Sequence, residues 1–389
     1  MSHALTKANL LQAVEPVQQI EADPQDRKLE SGVALCLSGG GFRAMLFHTG
    51  SLWRLNELGY LSRLRRVSSV SGGSITAALL GLRWSELDFD QAGVARRLDE
   101  LVVSPIRAFA GRTVDAFSVV GGLLGPGGVG DRVADSYRKH LYGKKTLQDL
   151  PDSPRFVINA TNVQSGALWR FMKPYMRDYR VGEVKNPDVE LAMAVAASSA
   201  FPPVLSPVSL ELNAGDFTPG SGKDLQREPF TTDVVLSDGG VYDNLGLETA
   251  WKKYDTILVS DAGGQLEPEA EPKPDWIRHT QRILFVIDNQ VRALRKRQVI
   301  DSFKLGARQG TYWGIRTDIS NYDLPDVLPC PHDETLKLAE VATRLKRLDA
   351  ETQERLINWG YASCDAAMRK HVGDGIPHPP KFPYPRGVN

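Results

Sequence analysis

Two short apolar runs, each followed by glycine and then by a helical pattern, constrain the fold of this chain most strongly. Residues 32–37 lead into Ser38-Gly39-Gly40-Gly41 and a helical pattern over 44–60, and residues 65–70 turn through Ser71-Gly72-Gly73 into another. The two turns are about 30 residues apart, which is the length of one β–α–β unit. Parallel strands of such a unit end at the same edge of the sheet, so both turns are predicted to meet there.

Ser71 lies in a sequence that resembles a nucleophile elbow. The elbow pattern is Gly-x-Ser-x-Gly, and this chain has Ser69-Val70-Ser71-Gly72-Gly73, with serine in place of the first glycine. A sharp turn between strand and helix would expose the Ser71 hydroxyl above the sheet. The alternative interpretation is a glycine-rich turn that only joins two elements.

The glycine run at 39–41 predicts an anion site, because it places several backbone N–H groups at the positive end of a helix. Two anions fit: a phosphate, or the oxyanion of an acyl-transfer intermediate. Phosphate-binding loops require Gly-Lys-Ser/Thr, which Arg43-Ala44-Met45 does not supply, and dinucleotide sites space their glycines more widely. A purely structural turn is the remaining alternative.

Two aspartates follow predicted strands and could act as a catalytic base. Asp238 heads Asp-Gly-Gly after a strand over 232–237, and Asp261 follows a strand over 256–260. The pattern does not choose between them, and an Asx turn would explain either residue. Among the seven histidines, His48 lies one helical turn past the glycine run and could approach the site, and the four after Asp238 have the chain order of an α/β hydrolase. No histidine lies in a motif that marks it, so a catalytic triad is possible but unsupported.

Composition and charge exclude several classes of protein. The chain has 389 residues, 42% of them hydrophobic, and 47 basic residues balance 47 acidic ones, which gives no reason to expect a nucleic-acid polymer as a partner. Three widely spaced cysteines suggest neither disulfides nor zinc. The first 30 residues lack a signal-peptide core, and no run reaches the roughly 18 apolar residues of a spanning helix, so we expect a cytoplasmic protein whose membrane contact is peripheral.

Several further segments give structural expectations. Helices are predicted over 88–103, 290–308 and 333–358, and a strand over 282–287. The helix at 290–308 carries Arg292, Arg295, Lys296 and Arg297, which could meet anionic lipid or a nucleotide or form a solvated face. Residues 108–130 are apolar and rich in glycine, which suits either a flap over an apolar substrate or a long loop, and residues 5–21 suit an amphipathic arm.

Three signatures, taken together, resemble those of the patatin-like phospholipase family. They are Ser-Gly-Gly-Gly-Phe-Arg-Ala at 38–44, Ser-Val-Ser-Gly-Gly at 69–73 and Asp-Gly-Gly at 238–240. The run at 196–203 is also similar to the helix that this family has between the elbow and the aspartate. The markers span about 210 residues, roughly the size of a complete domain, and their shared order is more specific than any one motif.

The resemblance implies a Ser–Asp dyad that hydrolyses lipid acyl esters without histidine, cofactor or metal. By position Ser71 is the nucleophile and Asp238 the base, while Asp261 becomes a strand-end residue. Gly39, Gly40 and Gly41 would form the oxyanion hole, with Arg43 and Gly72 in supporting roles. Ser69 and Ala44 depart from the usual glycines, which bears on substrate preference more than on activity.

The resemblance also implies a three-layer α/β/α sandwich with a mostly parallel central sheet. We expect an N-terminal arm at 1–30, a catalytic domain at 31–308 and a helical extension at 309–389 packed on the same domain. The expected substrate is a phospholipid or another acyl-ester lipid. Two alternatives stay open: a phospholipase gated by a nucleotide such as a cyclic nucleotide or by oligomerisation, and an inactive protein that binds an anion.

Overall fold

The computed structural model describes residues 29–114, 128–373 and 375–389. Its ten strands are β1 Glu30–Leu37, β2 Leu64–Val70, β3 Arg155–Asn162, β4 Ala167–Phe171, β5 Tyr175–Asp178, β6 Gly182–Lys185, β7 Val208–Glu211, β8 Asp233–Asp238, β9 Tyr254–Asp261 and β10 Gln309–Gly314. Its α-helices are α1 Gly41–Glu57, α2 Gly72–Arg83, α3 Ser104–Ala110, α4 Val129–Tyr137, α5 Leu191–Ser198, α6 Gly240–Asp243, α7 Glu248–Trp251, α8 Trp276–Lys304, α9 His332–Ala339 and α10 Ala350–His371.

The sheet has a parallel centre and an antiparallel flank. Strand order is β10-β9-β1-β2-β3-β4-β5-β6, and β10, β9, β1, β2 and β3 run parallel to one another. Strand β8 pairs antiparallel with the last residues of β3, so that Asp238 lies opposite Ala160. This places the end of β8 beside the carboxyl end of β2, where Ser71 follows.

Two hydrophobic cores cover the two faces of the sheet. Along β1, Leu35 and Leu37 belong to the larger core, which includes α1, α2 and α10, while Ala34 and Cys36 belong to a smaller core with Leu245 and Val299. Alternate residues of a strand point to opposite faces. The result is the expected three-layer α/β/α sandwich with helices on both sides of a central, mostly parallel sheet.

The C-terminal helices pack into the larger core. Leu356, Ile357 and Trp359 of α10 are fully buried there together with Leu35 and Phe47. Ser51 on α1 donates its hydroxyl hydrogen to the Gly360 carbonyl at 3.1 Å, which ties α1 to α10. Within the described part of the chain, no helix combines the length and the apolar character needed to cross a bilayer.

The strand predicted at 282–287 is wrong, because these residues lie inside the 29-residue helix α8. A short apolar run does not distinguish a strand from part of a helix, and the flanking residues decide. Here Asp275 caps the helix by accepting the Arg278 N–H at 3.0 Å, and helix-favouring residues continue to Lys304.

The helix predicted at 88–103 is also wrong over most of its length. Asp90 accepts the N–H groups of Ala92 and Val94, and Asp88 and Gly93 have positive φ, so the chain turns until a short π-helical segment begins at Asp99. Such local side-chain bonds compete with a helix.

The single helix predicted at 333–358 is in fact two, α9 and α10. The break leaves the Ala339 and Val341 carbonyls free to accept hydrogen bonds from Arg43. The amphipathic arm at 5–21 and most of the glycine-rich stretch at 108–130 lie outside the described residues.

Candidate active site

Ser71 forms the turn between β2 and α2 in a backbone conformation that side chains rarely adopt. Its φ is 51° and its ψ is −120°, so the turn is strained, as in a nucleophile elbow. The Ser71 N–H donates to the Ser198 Oγ at 3.0 Å, and that hydroxyl in turn donates to the Asn159 carbonyl at 2.6 Å. Ser198 on α5 therefore helps to hold the turn in place.

Ser69 explains how the elbow tolerates serine where glycine is usual. Its hydroxyl donates to the Val157 carbonyl at 3.1 Å and accepts from the Ser74 hydroxyl at 3.0 Å. Ser69 is fully buried. The departure thus adds hydrogen bonds that join β2 to β3 and to α2.

Asp238 ends β8 as a buried carboxylate in contact with Ser71. It is 2% exposed, and its carboxylate accepts a hydrogen bond from the Gly240 N–H at 2.6 Å. Burial raises the pKa of Asp238 from 3.8 to about 7, the Gly240 N–H and the nearby Ser71 hydroxyl oppose that rise, and the negative charge of Asp288 adds to it. A carboxylate with this pKa can accept a proton near neutral pH.

The glycine loop brings the first residues of α1 and α2 together. Gly40 and Gly41 have φ of 142° and 58°, and a methyl group added at Gly72 would lie 2.1 Å from the Gly41 carbonyl oxygen. A methyl group added at Gly39 would lie 3.2 Å from the Ser71 Cβ. The loop therefore lies directly against the serine, and only glycine allows this approach.

The three glycines predicted to form the oxyanion hole differ in their hydrogen bonds. The Gly39 N–H donates to the Asn244 carbonyl at 3.0 Å, so it is already occupied. Within the described residues, the N–H groups of Gly40, Gly41 and Gly72 make no hydrogen bond to protein atoms. Two helix N-termini thus present unpaired donors beside Ser71, where they favour negative charge.

Arg43 holds the glycine loop against the C-terminal extension. Its guanidinium donates to the carbonyls of Ala339 at 2.5 Å, Val341 at 2.9 Å and Ala262 at 2.8 Å. Burial, helped by Arg316 and Arg292, lowers the pKa of Arg43 to about 10, which leaves it charged at neutral pH. The bond to Ala262 reaches the residue after β9, so Arg43 links three segments.

Asp261, the other candidate for the catalytic base, forms an ion pair and hydrogen bonds with groups other than Ser71. It pairs with Lys296 at 2.6 Å and accepts hydrogen bonds from the Tyr312 hydroxyl at 2.7 Å and the Gly263 N–H at 2.8 Å. Burial acts to raise its pKa, but Lys296 and these hydrogen bonds hold the pKa well below its ordinary value. A carboxylate so stabilised in its charged form is a poor proton acceptor.

His48 lies behind the glycine loop, away from the Ser71 hydroxyl. Its Nε2 lies 2.9 Å from the Ser38 carbonyl, which can only accept, so Nδ1 accepts from the Ser260 hydroxyl at 2.8 Å. Burial lowers the pKa of His48 to about 4. None of the six histidines in the described ranges hydrogen-bonds Ser71 or Asp238, which argues against a triad there.

A cavity of about 400 Å³ lies between the end of β9 and α8, and its lining includes Asp261 but neither Ser71 nor Asp238. Its three cationic side chains are each in an ion pair: Lys296 with Asp261, Arg292 with Asp288 and Arg316 with Glu267. Gating by a nucleotide remains a prediction. Among the described residues, no group of three or more His, Cys, Asp or Glu is arranged to hold a metal ion.

The structure therefore brings Ser71, Asp238, Gly40, Gly41 and Gly72 together and places Arg43 behind them. Sequence reasoning did not single out Ser198, Asn244 or Asp288, which hold the elbow, occupy the Gly39 N–H and act on the Asp238 charge. Ser198 lies in the run at 196–203 that is similar to a helix of the family, so this similarity could have indicated it. Asn244 and Asp288 act through chain folding that no local pattern indicates.

Comparison with known proteins identifies the family to which the chain belongs. The family model of the patatin-like phospholipases matches residues 35–251, more than half of the chain. The comparison with curated proteins gives no match. The chain therefore belongs to the patatin-like phospholipase family.

Solved structures support the fold. The human GIVD cytosolic phospholipase A2 is similar at 14% identity, with 92% of this chain and 64% of that chain covered and a TM-score of 0.50. The same human enzyme in complex with methyl gamma-linolenyl fluorophosphonate is similar at 17% identity, with 92% and 60% covered and a TM-score of 0.50. The chain thus spans less than two thirds of the length of these structures.

Proposed function

We propose that the protein is a serine phospholipase that cleaves fatty-acyl esters of phospholipids through a Ser71–Asp238 dyad. The observation that carries this proposal is the position of the Ser71 hydroxyl beside the buried Asp238 carboxylate, a carboxylate with a pKa of about 7. The nucleophile needs a base that is ionised at neutral pH yet basic enough to take its proton. Family membership supplies the substrate class.

The first half-reaction transfers the acyl group to the serine. Asp238 accepts the Ser71 proton while the Ser71 Oγ forms a bond to the ester carbonyl carbon, and the carbonyl oxygen becomes an oxyanion. The N–H groups of Gly40, Gly41 and Gly72 stabilise that charge, since they are preorganised and unpaired. The bond to the lysophospholipid oxygen then breaks, and the leaving oxygen takes the proton from Asp238.

The second half-reaction releases the fatty acid. Asp238 accepts a proton from water as the water oxygen attacks the acyl carbon, and the same N–H groups stabilise the second oxyanion. The bond to the Ser71 Oγ breaks, and Ser71 regains its proton from Asp238. Each residue returns to its starting state. One similar human structure is a complex with methyl gamma-linolenyl fluorophosphonate, and fluorophosphonates react with activated serines.

Hydrolysis of phospholipid by three variants tests this proposal. Ser71→Ala and Asp238→Asn are each expected to lower kcat by about 10³-fold or more, because nucleophile and base act as a unit. Asp261→Asn is the matched control, since it removes the rival carboxylate at a neighbouring strand end, and its folded fraction is expected to retain most of kcat. Full activity of Ser71→Ala, or loss only in Asp261→Asn, would overturn the dyad.

A further inference from the structure

Helix α8 exposes a concentration of large apolar side chains that nothing in the described chain covers. From Trp276 to Leu294, nine such side chains are exposed, out of fifteen in the whole described chain. Trp276 is 78% exposed and Leu284 is 58% exposed. The buried residues of α8 are Val299 and Ser302, near its other end. The first five turns of α8 therefore stand away from both cores.

The exposed segment is apolar on every side of the helix, so rotation of the helix cannot hide it. Residues 283–287 are Ile-Leu-Phe-Val-Ile, and all five are exposed. Successive helix residues point about 100° apart, so five in a row cover the full circumference. A helix that is hydrophobic all round is normally buried in protein or lipid, and an exposed patch of this kind marks an interaction site.

The apolar segment lies on the same side of the molecule as the dyad. The Phe285 ring stacks on the Phe201 ring, with centroids 6.5 Å apart and planes at 18°. Phe201 follows Ala200, whose carbonyl accepts the Asp238 N–H at 2.9 Å. Phe201 and Val204 are each 49% exposed and extend the apolar surface toward the site. A surface that docks here would bring its acyl chains next to Ser71.

The charge of α8 selects among the partners that could cover it. The helix has seven Lys and Arg residues against two Asp, although the whole chain is neutral. Asp275, Glu269 and Asp288 pair with Arg278, Arg282 and Arg292, whereas Arg297, just beyond Leu294, forms no ion pair with a described residue. In a symmetric dimer through this face the basic helix would meet itself, and like charges repel. An anionic lipid surface attracts the basic groups and accepts the apolar ones.

We propose that residues 276–294 of α8, together with residues 201–204, form the surface by which the protein docks on an anionic lipid bilayer. This inference rests on the proposed lipid hydrolysis, because it assigns the docking surface to the same substrate. The helix lies in the interface and does not span the bilayer. Bound in this way, the protein presents the Ser71 turn to lipid molecules in the membrane.

Vesicle binding by inactive protein tests the surface independently of catalysis. In a Ser71→Ala background, the variant Leu284→Gln with Ile287→Gln is compared with Leu305→Gln by co-sedimentation with vesicles of equal parts phosphatidylglycerol and phosphatidylcholine. All three positions are exposed, and glutamine favours helix, so folding should be unaffected. Leu305 is the matched control, because it lies at the other end of α8, about 30 Å away at 1.5 Å per residue.

The double variant is expected to bind these vesicles about tenfold more weakly or worse, whereas Leu305→Gln changes binding by less than about twofold. Vesicles of phosphatidylcholine alone are expected to bind the Ser71→Ala protein more weakly. Equal vesicle binding by the double variant and its Ser71→Ala parent would overturn the inference. So would a dimer that the double variant dissociates while vesicle binding stays unchanged.

A soluble ester separates this inference from the proposed function. With Ser71 intact, the double variant is expected to hydrolyse a short-chain nitrophenyl ester at the wild-type rate while its activity on vesicles falls about tenfold. If the wild type cleaves both substrates and the double variant does too at equal rates, the docking surface is wrong and the dyad stands. If the wild type cleaves neither substrate, the proposed function itself fails.

Discussion

The burial of Asp238 determines how the proposed dyad would respond to pH. An aspartate in water is ionised well below neutral pH and is a weak base, whereas burial brings the pKa of Asp238 to about 7. The Gly240 N–H and the Ser71 hydroxyl keep the ionised form accessible. In the proposed dyad, this single carboxylate would take the proton-accepting role that histidine has in the common triad.

The activity of the wild-type protein is expected to rise with pH through about 7. Below that pH the folded protein carries Asp238 protonated, and the carboxyl group cannot accept the Ser71 proton. The rate should therefore fall about tenfold for each pH unit below this limb. The measurement is kcat/KM for a soluble ester from pH 5 to pH 9, at about one-unit steps. A limb centred near pH 4 would show that the base has the ordinary pKa of an aspartate.

Asp238→Asn is expected to stabilise the fold at alkaline pH while it abolishes activity. The folded pKa of about 7 lies above the ordinary 3.8, so ionised Asp238 destabilises the folded state by up to about 4 kcal/mol above pH 7. Asparagine removes that charge at constant shape. Urea unfolding should show a gain of about 1–4 kcal/mol at pH 8 that shrinks as pH falls through 7 and vanishes near pH 4. Equal stability of the two proteins at pH 8 would contradict the raised pKa.

Gly41→Ala is expected to damage catalysis more than its backbone conformation alone explains. Gly41 has φ of 58°, and an added methyl group would lie 2.7 Å from the Arg344 carbonyl oxygen. Gly166→Ala is the matched control, since Gly166 has φ of 71° and nothing within 4 Å of the added carbon. Both variants should lose about 1–2 kcal/mol of stability from positive φ.

Only Gly41→Ala should lower kcat, by about 10²-fold, because it displaces an oxyanion donor. Steady-state kinetics and urea unfolding of both variants check the prediction. Equal kcat values for the two variants would remove Gly41 from the oxyanion hole.

At the scale of elements, the contact between α1 and the break between α9 and α10 supports the proposed oxyanion hole. The Phe42 N–H donates to the Arg344 carbonyl at 3.0 Å, and Arg43 donates to the carbonyls of Ala339 and Val341. The first turn of α1 is therefore held by residues about 300 positions further along the chain, a separation that local sequence patterns do not report.

Arg43→Ala is expected to destabilise the protein by about 3 kcal/mol and to lower kcat more than it raises KM. The substitution leaves three carbonyl groups, two of them on buried residues, without their charged donor, and it frees the glycine loop. Arg97→Ala is the control, because Arg97 makes an exposed pair with Glu100. Its unfolding free energy and kinetics should stay close to wild type. A change in KM alone for Arg43→Ala would argue against a role in holding the loop.

Local patterns predicted those elements whose hydrophobic residues and turns agree with each other. The strands before Gly39, Ser71 and Asp238 were predicted from apolar runs that lead into turns containing glycine. The strand prediction at 282–287 was wrong because an exposed helix and a buried strand can have the same short apolar pattern. The break between α9 and α10 was not predicted, because it is stabilised by hydrogen bonds from Arg43, which lies far away in the sequence.

At the scale of the whole molecule, elements from early and from late in the described chain pack together around the site. Strand β10 and helices α9 and α10 come after residue 308, yet they share the sheet and the larger core with β1 and α1. We therefore propose that residues 31–308 and the extension at 309–389 fold as one unit. The family signatures predicted the sheet and the dyad candidates. The contacts between residues 339–344 and the first turn of α1 are visible only in the three-dimensional structure.

Covalent labelling tests the central claim, that Ser71 is an activated nucleophile with Asp238 as its base, most directly. The protein is treated with a fluorophosphonate, digested, and the modified peptide is located by mass spectrometry. We predict a single modification at Ser71 in the wild type, none in Ser71→Ala, and labelling at least about 10²-fold slower in Asp238→Asn. Modification at another serine, or labelling of Asp238→Asn at the wild-type rate, would contradict the dyad.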